Sequence, residues 1–369
     1  MQIAPFKLER YFAQYEFTTE YLLCSSDCES MTAGELLDFE PGGRAGFAGQ
    51  WLGYTESQGG MALRNAICGI YESIEADEVL VHTGAEEAIF LFMHALLEPG
   101  DHVVVHWPCY QSLVEVARSI GAEISRWTPR EEDGWALEVN ALETLLRPNT
   151  KAIILNTPHN PTGYLMPRDE FEAVSAIARE AGVMLFSDEV YRESEYDPED
   201  RLPAACDLGE HAVSLGVMSK TYGLAGLRIG WIATHNRDLY GRMASLKDYT
   251  TICNSAPSEY LATLGLRHRQ LLIERNLGII MRNVQLVEAF IGRHDELFSW
   301  VAPTAGSMAF PRYLGGNVDS FCDKLVRDAG VMLLPGSVYD DQENHFRIGM
   351  GRRSLPEALT RLEEFIGSD

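Results

Sequence analysis

"VLVHTGAEEAIFLFMHALLEPGDHVVVHW", residues 79–107, changes its periodicity twice. "VLVHT" and "HVVVHW" are short, β-branched, nearly unbroken apolar runs, the pattern of strands buried on both faces. "AEEAIFLFMHALLEPG" between them spaces its apolar residues as a helix does, and Pro99 and Gly100 end it. A strand, a helix and a strand in that order build a parallel crossover. Working outward to about Thr234, "AEISRW", "KAIILN", "GVMLFS", "HAVSLGV" and "RIGWIAT" read as further strands, and "YQSLVEVARSIG", "ALETLLRPN" and "PRDEFEAVSAIAREAG" as further helices. Such alternation predicts an α/β fold with helices covering a mostly parallel sheet. After Leu239 the chain reads as helical to about Gly292. It then turns to strand and helix units, "SMAFPRYL", "SFCDKLVRDAG", "VMLLPG", "HFRIGMG" and "LPEALTRLEEFIG", which predict a smaller α+β unit.

Composition narrows the function classes. The 369 residues carry 54 Asp+Glu against 30 Lys+Arg, a formal net charge of -24. That field repels polyanions and anionic membrane surfaces, so neither a nucleic acid nor a membrane is the expected partner. "MQIAPFKLERYFAQYEF" at the start has no apolar leader segment, and the longest apolar run, Ala88 to Leu97, is too short to span a bilayer. A cytoplasmic protein is the expectation. Seven cysteines is an odd count that suits reduced thiols, and Cys24 and Cys28 lack a second pair at zinc-ligand spacing. No metal is expected, and the two cysteines read as small buried residues.

The candidate chemistry centres on "SKTYGLAGLRIGW", which places Lys220 and Arg228 among Gly223, Gly226 and Gly230. An amine desolvated in such surroundings has a lowered pKa and becomes the nucleophile a Schiff-base enzyme needs. A buried arginine calls for a compact anion, and phosphate is the natural candidate. In "VHTGAEEAIF" the backbone N–H groups of Gly84, Ala85 and Glu86 open a helix after a strand, where a phosphate can be capped. "LNTPHNPTG" holds Asn156 and Asn160 in a proline-stiffened turn. "LFSDEVY" ends an apolar strand on Asp188, with Tyr191 three residues on, and a carboxylate there needs a cation.

Taken with "HWPCY" and "FRIGMG", these motifs make the chain resemble the pyridoxal-phosphate-dependent enzymes of fold type I, in the class I/II aminotransferase family, from about Gly53 onward. There is also likeness to the compact capreomycidine synthase-type members. The resemblance implies an α/β/α large domain with a mixed, mostly parallel seven-stranded sheet, spanning residues 46–268. A smaller α+β domain would come from residues 1–45 and 269–369. It implies pyridoxal 5'-phosphate as cofactor, with Lys220 forming the Schiff base and moving the substrate proton. Asp188 would pair with the ring nitrogen, Tyr191 and Asn160 would donate to the ring hydroxyl, and Tyr110 would stack on the ring, with Trp107 its near neighbour. Arg228, Ser219 and the Gly84, Ala85 and Glu86 amides would hold the phosphate. Arg347 would grip the substrate α-carboxylate beside Asn160. Tyr54 would reach the phosphate of a neighbouring subunit, which implies a homodimer. The activity implied is ping-pong transamination between an L-amino acid and a 2-oxo acid. The alternative is a lyase, decarboxylase or cyclase on the same machinery; a non-catalytic cofactor sensor is disfavoured because no basic winged-helix segment precedes the motifs.

Two departures stand out. Val217 occupies the position, three before the lysine, where the family commonly has a phosphate-binding serine. "LLCSSDCESMT" replaces the usual glycine-containing substrate loop, leaving Ser25, Ser26 and Asp27 as candidates for substrate contact beside the reading as a capped turn into "MTAGELLDF". His82, His106 and His159 read as structural, Arg312 as a partner of surface carboxylates, Arg352 and Arg353 as the solvated approach to the last helix, and "RYFAQYEF" as packing aromatics.

Overall fold

In the computed structural model, which describes residues 2–367, seven strands form one sheet. They are β1 (Val79–His82), β2 (His102–His106), β3 (Glu123–Trp127), β4 (Thr150–Asn156), β5 (Met184–Asp188), β6 (Ala212–Val217) and β7 (Gly230–Ala233), in the order β1-β7-β6-β5-β4-β2-β3. The β2–β3, β2–β4, β4–β5 and β5–β6 pairs are parallel, and β7 runs antiparallel to both its neighbours. The reversal has a local cause: only a short 3-10 turn, Ala225–Leu227, separates β6 from β7, so the chain folds back where an α-helical crossover would have kept it parallel. The sheet is buried on both faces. Along β4, Ala152 and Ile154 enter one apolar core while Ile153 and Leu155 enter another, the period of two expected of a strand covered on both sides.

Helices Arg237–Lys247, Ala256–Arg267 and Arg269–Arg293 follow. The carboxyl-terminal part has β8 (Phe298–Ser299), β9 (Met308–Ala309), β10 (Arg312–Tyr313), β11 (Leu334–Pro335) and β12 (Phe346–Gly349), in a β10-β8 pair and a β11-β12-β9 sheet. Helices Val318–Ala329 and Leu355–Ile366 share an apolar core with these strands, in which Leu325, Leu333 and Leu355 are fully buried. The chain's early segment is laid against β12: Gly349 N–H donates to Leu23 O at 2.7 Å, and Glu29 N–H to Gly351 O at 2.8 Å. That approach requires glycine on the β12 side. A Cβ at Gly349 would stand 1.9 Å from Ser25 O, and one at Gly351 2.2 Å from Asp27 O. Beyond this segment, the helix expected in "MTAGELLDF" is Ala33–Leu37, opened by a capping box between Thr32 and Glu35. "RYFAQYEF", read as packing aromatics, belongs largely to an amphipathic helix, Lys7–Tyr15, whose Tyr11, Phe12 and Tyr15 pack against an apolar core with Leu8 and Phe310. Among the described residues no helix is long and apolar enough to cross a membrane.

Candidate active site

The carboxyl ends of β4, β5 and β6 open on a cavity of ≈ 490 Å³, within the range of small-molecule sites and in the place where open α/β sheets bind ligands. Asp188, the last residue of β5, lies on it and is only 5% exposed. Burial pushes its carboxyl up to about 7; the Val190 N–H, which it accepts at 3.2 Å, and then Lys220 pull the other way. Lys220 stands three residues beyond β6. Its Nζ donates to Ser26 Oγ at 3.0 Å, and burial lowers its pKa, opposed by Asp27 and Asp188 and reinforced by Arg347. Tyr191 Oη, on a side chain 2% exposed, lies beside Ser26 without a geometrically formed hydrogen bond. A buried acid, an amine whose pKa burial lowers and an unsatisfied phenol thus face one space. They can meet a cationic ring nitrogen, form a covalent bond to a carbonyl carbon and donate to a hydroxyl.

Ala85 and Glu86, at the start of helix Gly84–Leu96, line the adjacent corner with Val217, Ser219 and Arg228. Arg228 adopts φ 52°, and its guanidinium lies so close to Gly84 that a Cβ there would be 2.6 Å from Nη2. Gly230 in β7 lies against the same backbone, since its Cβ would be 2.7 Å from the Gly84 carbonyl carbon. A helix amino terminus and a guanidinium aimed at one point form an anion cradle. Burial raises the Glu86 pKa, which lessens its repulsion of an anion there.

Across the cavity, Arg347 of β12 is 1% exposed. Its Nε donates to Cys24 O at 2.9 Å, and its Nη1 to Tyr339 Oη at 2.6 Å and Asn160 Oδ1 at 3.3 Å. Nη2 has no hydrogen-bond partner among the described residues and is free to take a carboxylate. Asn160 is fixed in turn by its N–H to Asn156 Oδ1 at 2.7 Å, and Asn156 Nδ2 donates to Asp188 O at 2.9 Å. This network ties the turn after β4 to the end of β5. Tyr339 is a member that sequence reading missed; it ends a short 3-10 turn, Gly336–Tyr339, in "PGSVYDD", a stretch with no periodic signal.

Ser25, Ser26 and Asp27 all line the cavity. The reading of Arg352 as solvated is corrected: it too lines the cavity, and Nη2 bonds both Asp27 oxygens at 2.8 and 2.9 Å. Arg353 is exposed. Tyr110 lines the cavity, whereas Trp107 carries Arg126 over its ring at 3.7 Å. The three histidines stay outside. His82 is held down to about 3 by burial, and His106 stacks on His159 at 3.7 Å. Arg312 meets Glu131 and Glu343, each at 2.5 Å. Cys24 and Cys28 are buried free thiols. Tyr54 is 85% exposed and outside this cavity.

A family profile described as aminotransferase class I and II matches residues 21–362. The chain belongs to that family. Capreomycidine synthase of Streptomyces vinaceus is 30% identical over 367 residues, covering 98% of this chain and 93% of that protein. Among solved structures, a PLP-dependent aminotransferase from Streptococcus suis superposes with a TM-score of 0.93 at 31% identity, covering 100% of this chain and 99% of that one. The PLP-dependent cyclase OrfR follows at 0.91 and 29%, covering 100% and 98%. This class I/II aminotransferase chain has the fold type I architecture and is an enzyme that uses pyridoxal 5'-phosphate. The donor set fits that cofactor: the unsatisfied Tyr191 Oη, the buried Asp188 acid and the cradle that a Cβ at Gly84 would crowd each answer one of its polar groups.

Proposed function

We propose that the enzyme transfers the amino group of an L-amino acid to a 2-oxo acid in two half-reactions, with Lys220 as the residue that carries the cofactor. The observation that carries this reading is the meeting of Lys220, its amine pKa lowered by burial, with Asp188 and the free Nη2 of Arg347 on one cavity. Pyridoxal phosphate, when bound, supplies an electron sink for the pair left on the substrate α-carbon when its proton departs. Lys220 Nζ would move that proton from the substrate α-carbon to C4′ of the cofactor. Asp188 would keep the ring nitrogen protonated, and Tyr191 and Asn160 would donate to the ring hydroxyl. Tyr110 would cover the ring face, and Arg228, Ser219 and the Gly84, Ala85 and Glu86 amides would hold the phosphate. Arg347, oriented by Tyr339 and Asn160, binds the α-carboxylate.

The site is proposed to be completed in a homodimer, with Tyr54 reaching the partner's phosphate. Trp51, Leu52 and Tyr54 are 78, 80 and 85% exposed, and Tyr249 is 91% exposed. The two segments adjoin, since Thr55 Oγ1 donates to Asn254 O at 3.1 Å, and Asn254 Oδ1 accepts from Thr83 beside the anion cradle at 3.4 Å. An apolar patch of this kind marks a contact surface. A cytoplasmic enzyme remains part of the proposal.

A second reading, elimination or cyclisation at the substrate side chain, is favoured by the near full-length likeness to a synthase and a cyclase. Absorbance spectra separate the two. Transamination predicts that one amino acid, added without an oxo acid, converts the cofactor stoichiometrically to its amine form, and that an oxo acid restores it. Ammonia release or a cyclised product with the original spectrum retained would replace transamination by the second reading.

A further inference from the structure

The amino-terminal helix Lys7–Tyr15 forms one side of the active-site cavity and presents two chemistries to it. Leu8 and Phe12, one turn apart, contribute apolar surface, and Ile89 extends it. Glu9, exposed on the helix, and the half-buried Glu16, its C-cap seven residues on, contribute carboxylates. Neither is in an ion pair among the described residues, and Glu9 Oε1 accepts only the Tyr110 hydroxyl, at 3.3 Å. Arg352, the cation whose charge influences Glu16, is already held by both oxygens of Asp27. The same cavity has two buried polar groups awaiting a ligand, Tyr191 Oη and Arg347 Nη2. A ligand carboxylate docked on Arg347 therefore shares the cavity with apolar surface and with two carboxylates lacking a cation.

We propose that this pocket selects an L-amino acid whose aliphatic side chain ends in a cation, a guanidinium or an ammonium, with Leu8 and Phe12 along its methylenes and Glu9 and Glu16 facing its charge. The proposal rests on the reading above only in taking an L-amino acid as substrate. Long cationic side chains are built this way, with an apolar stem and a charged head, and the wall matches both parts. A neutral head group would offer the two carboxylates no counter-charge, and an acidic one would meet them as like charges.

The test compares L-arginine, L-ornithine and L-lysine with L-citrulline, L-norleucine and L-glutamate. The half-reaction is followed by absorbance in the wild type, and binding by calorimetry in Lys220→Ala, which cannot turn over. At least one cationic amino acid is expected to exceed its neutral counterpart by about tenfold in kcat/KM and in affinity, with the margin shrinking as salt is raised. In Glu9→Gln/Glu16→Gln the ratio of cationic to neutral substrate falls toward one. Arginine alone prevailing assigns a guanidinium, and ornithine or lysine prevailing an ammonium. Equal use of citrulline or norleucine, a preference for glutamate, or a ratio untouched by the double substitution overturns the proposal. Selective binding of a cationic amino acid with no half-reaction keeps the pocket assignment and sinks transamination; neither binding nor reaction sinks both.

Discussion

Asp188 opposes the stability of the fold that carries it. Its ordinary value is 3.8, and burial raises it to about 7. The folded chain therefore holds a proton that the unfolded chain releases between these values. Stability contributed at this site is intact below about pH 4 and declines as the pH rises to about 7, by up to about 4 kcal/mol. A cation opposite the carboxylate removes the penalty. Protein stripped of cofactor is thus expected to lose stability across that window, and Asp188→Asn to recover about 2–4 kcal/mol at pH 8 but little at pH 4. Urea denaturation at the two pH values measures both. The same substitution is expected to abolish the half-reaction, and an unchanged pH profile in Asp188→Asn would show that another group titrates.

Gly349 and Gly351 show how an element can serve a site it does not line. Neither glycine reaches the cavity, yet both let the Ser25–Asp27 segment lie close enough to bring Ser26 to Lys220. Gly349→Ala is expected to displace that segment, lowering stability by about 1–3 kcal/mol and loosening the cofactor. Gly278→Ala is the control, because Gly278 lies inside helix Arg269–Arg293 with nothing within 4 Å of a Cβ; it is expected to stabilise by about 0.5–1 kcal/mol. Thermal denaturation and cofactor dissociation distinguish them, and equal behaviour of the two variants would overturn the argument. The elements between β1 and β7 were legible because each carries its own periodicity and its own stop signal. The helix Lys7–Tyr15 was not, because Phe6 before it offers no capping side chain and Glu16 after it is no helix breaker. Arg352 was misjudged for a different reason: Asp27, its partner, lies 325 positions away, and such pairing leaves no trace in local spacing.

At the scale of the whole molecule, we propose a larger unit of residues 46–268 and a smaller one joining 1–45 to 269–369, supported by a separate core around Leu325, Leu333 and Leu355. Leu36 and Leu37 pack into a core with Leu261 and Leu264, tying the two together. The exposed patch around Trp51, Leu52 and Tyr249 predicts a sedimenting species of twice the 41.2 kDa chain mass. Leu52→Asp with Tyr249→Asp is expected to give monomers that bind the cofactor at least tenfold more weakly, since a like-charged patch cannot close. A wild-type monomer that holds its cofactor tightly would refute the shared site. The bidentate Asp27–Arg352 pair also bears on the order of events during biosynthesis. Ser26 and Asp27 leave the ribosome early, but the strand that seats them and the arginine that clamps them arrive only after residue 345 has been translated. A nascent chain can complete most of its sheet and still lack a finished pocket, so durable capture of the cofactor is an event of the nearly finished polypeptide.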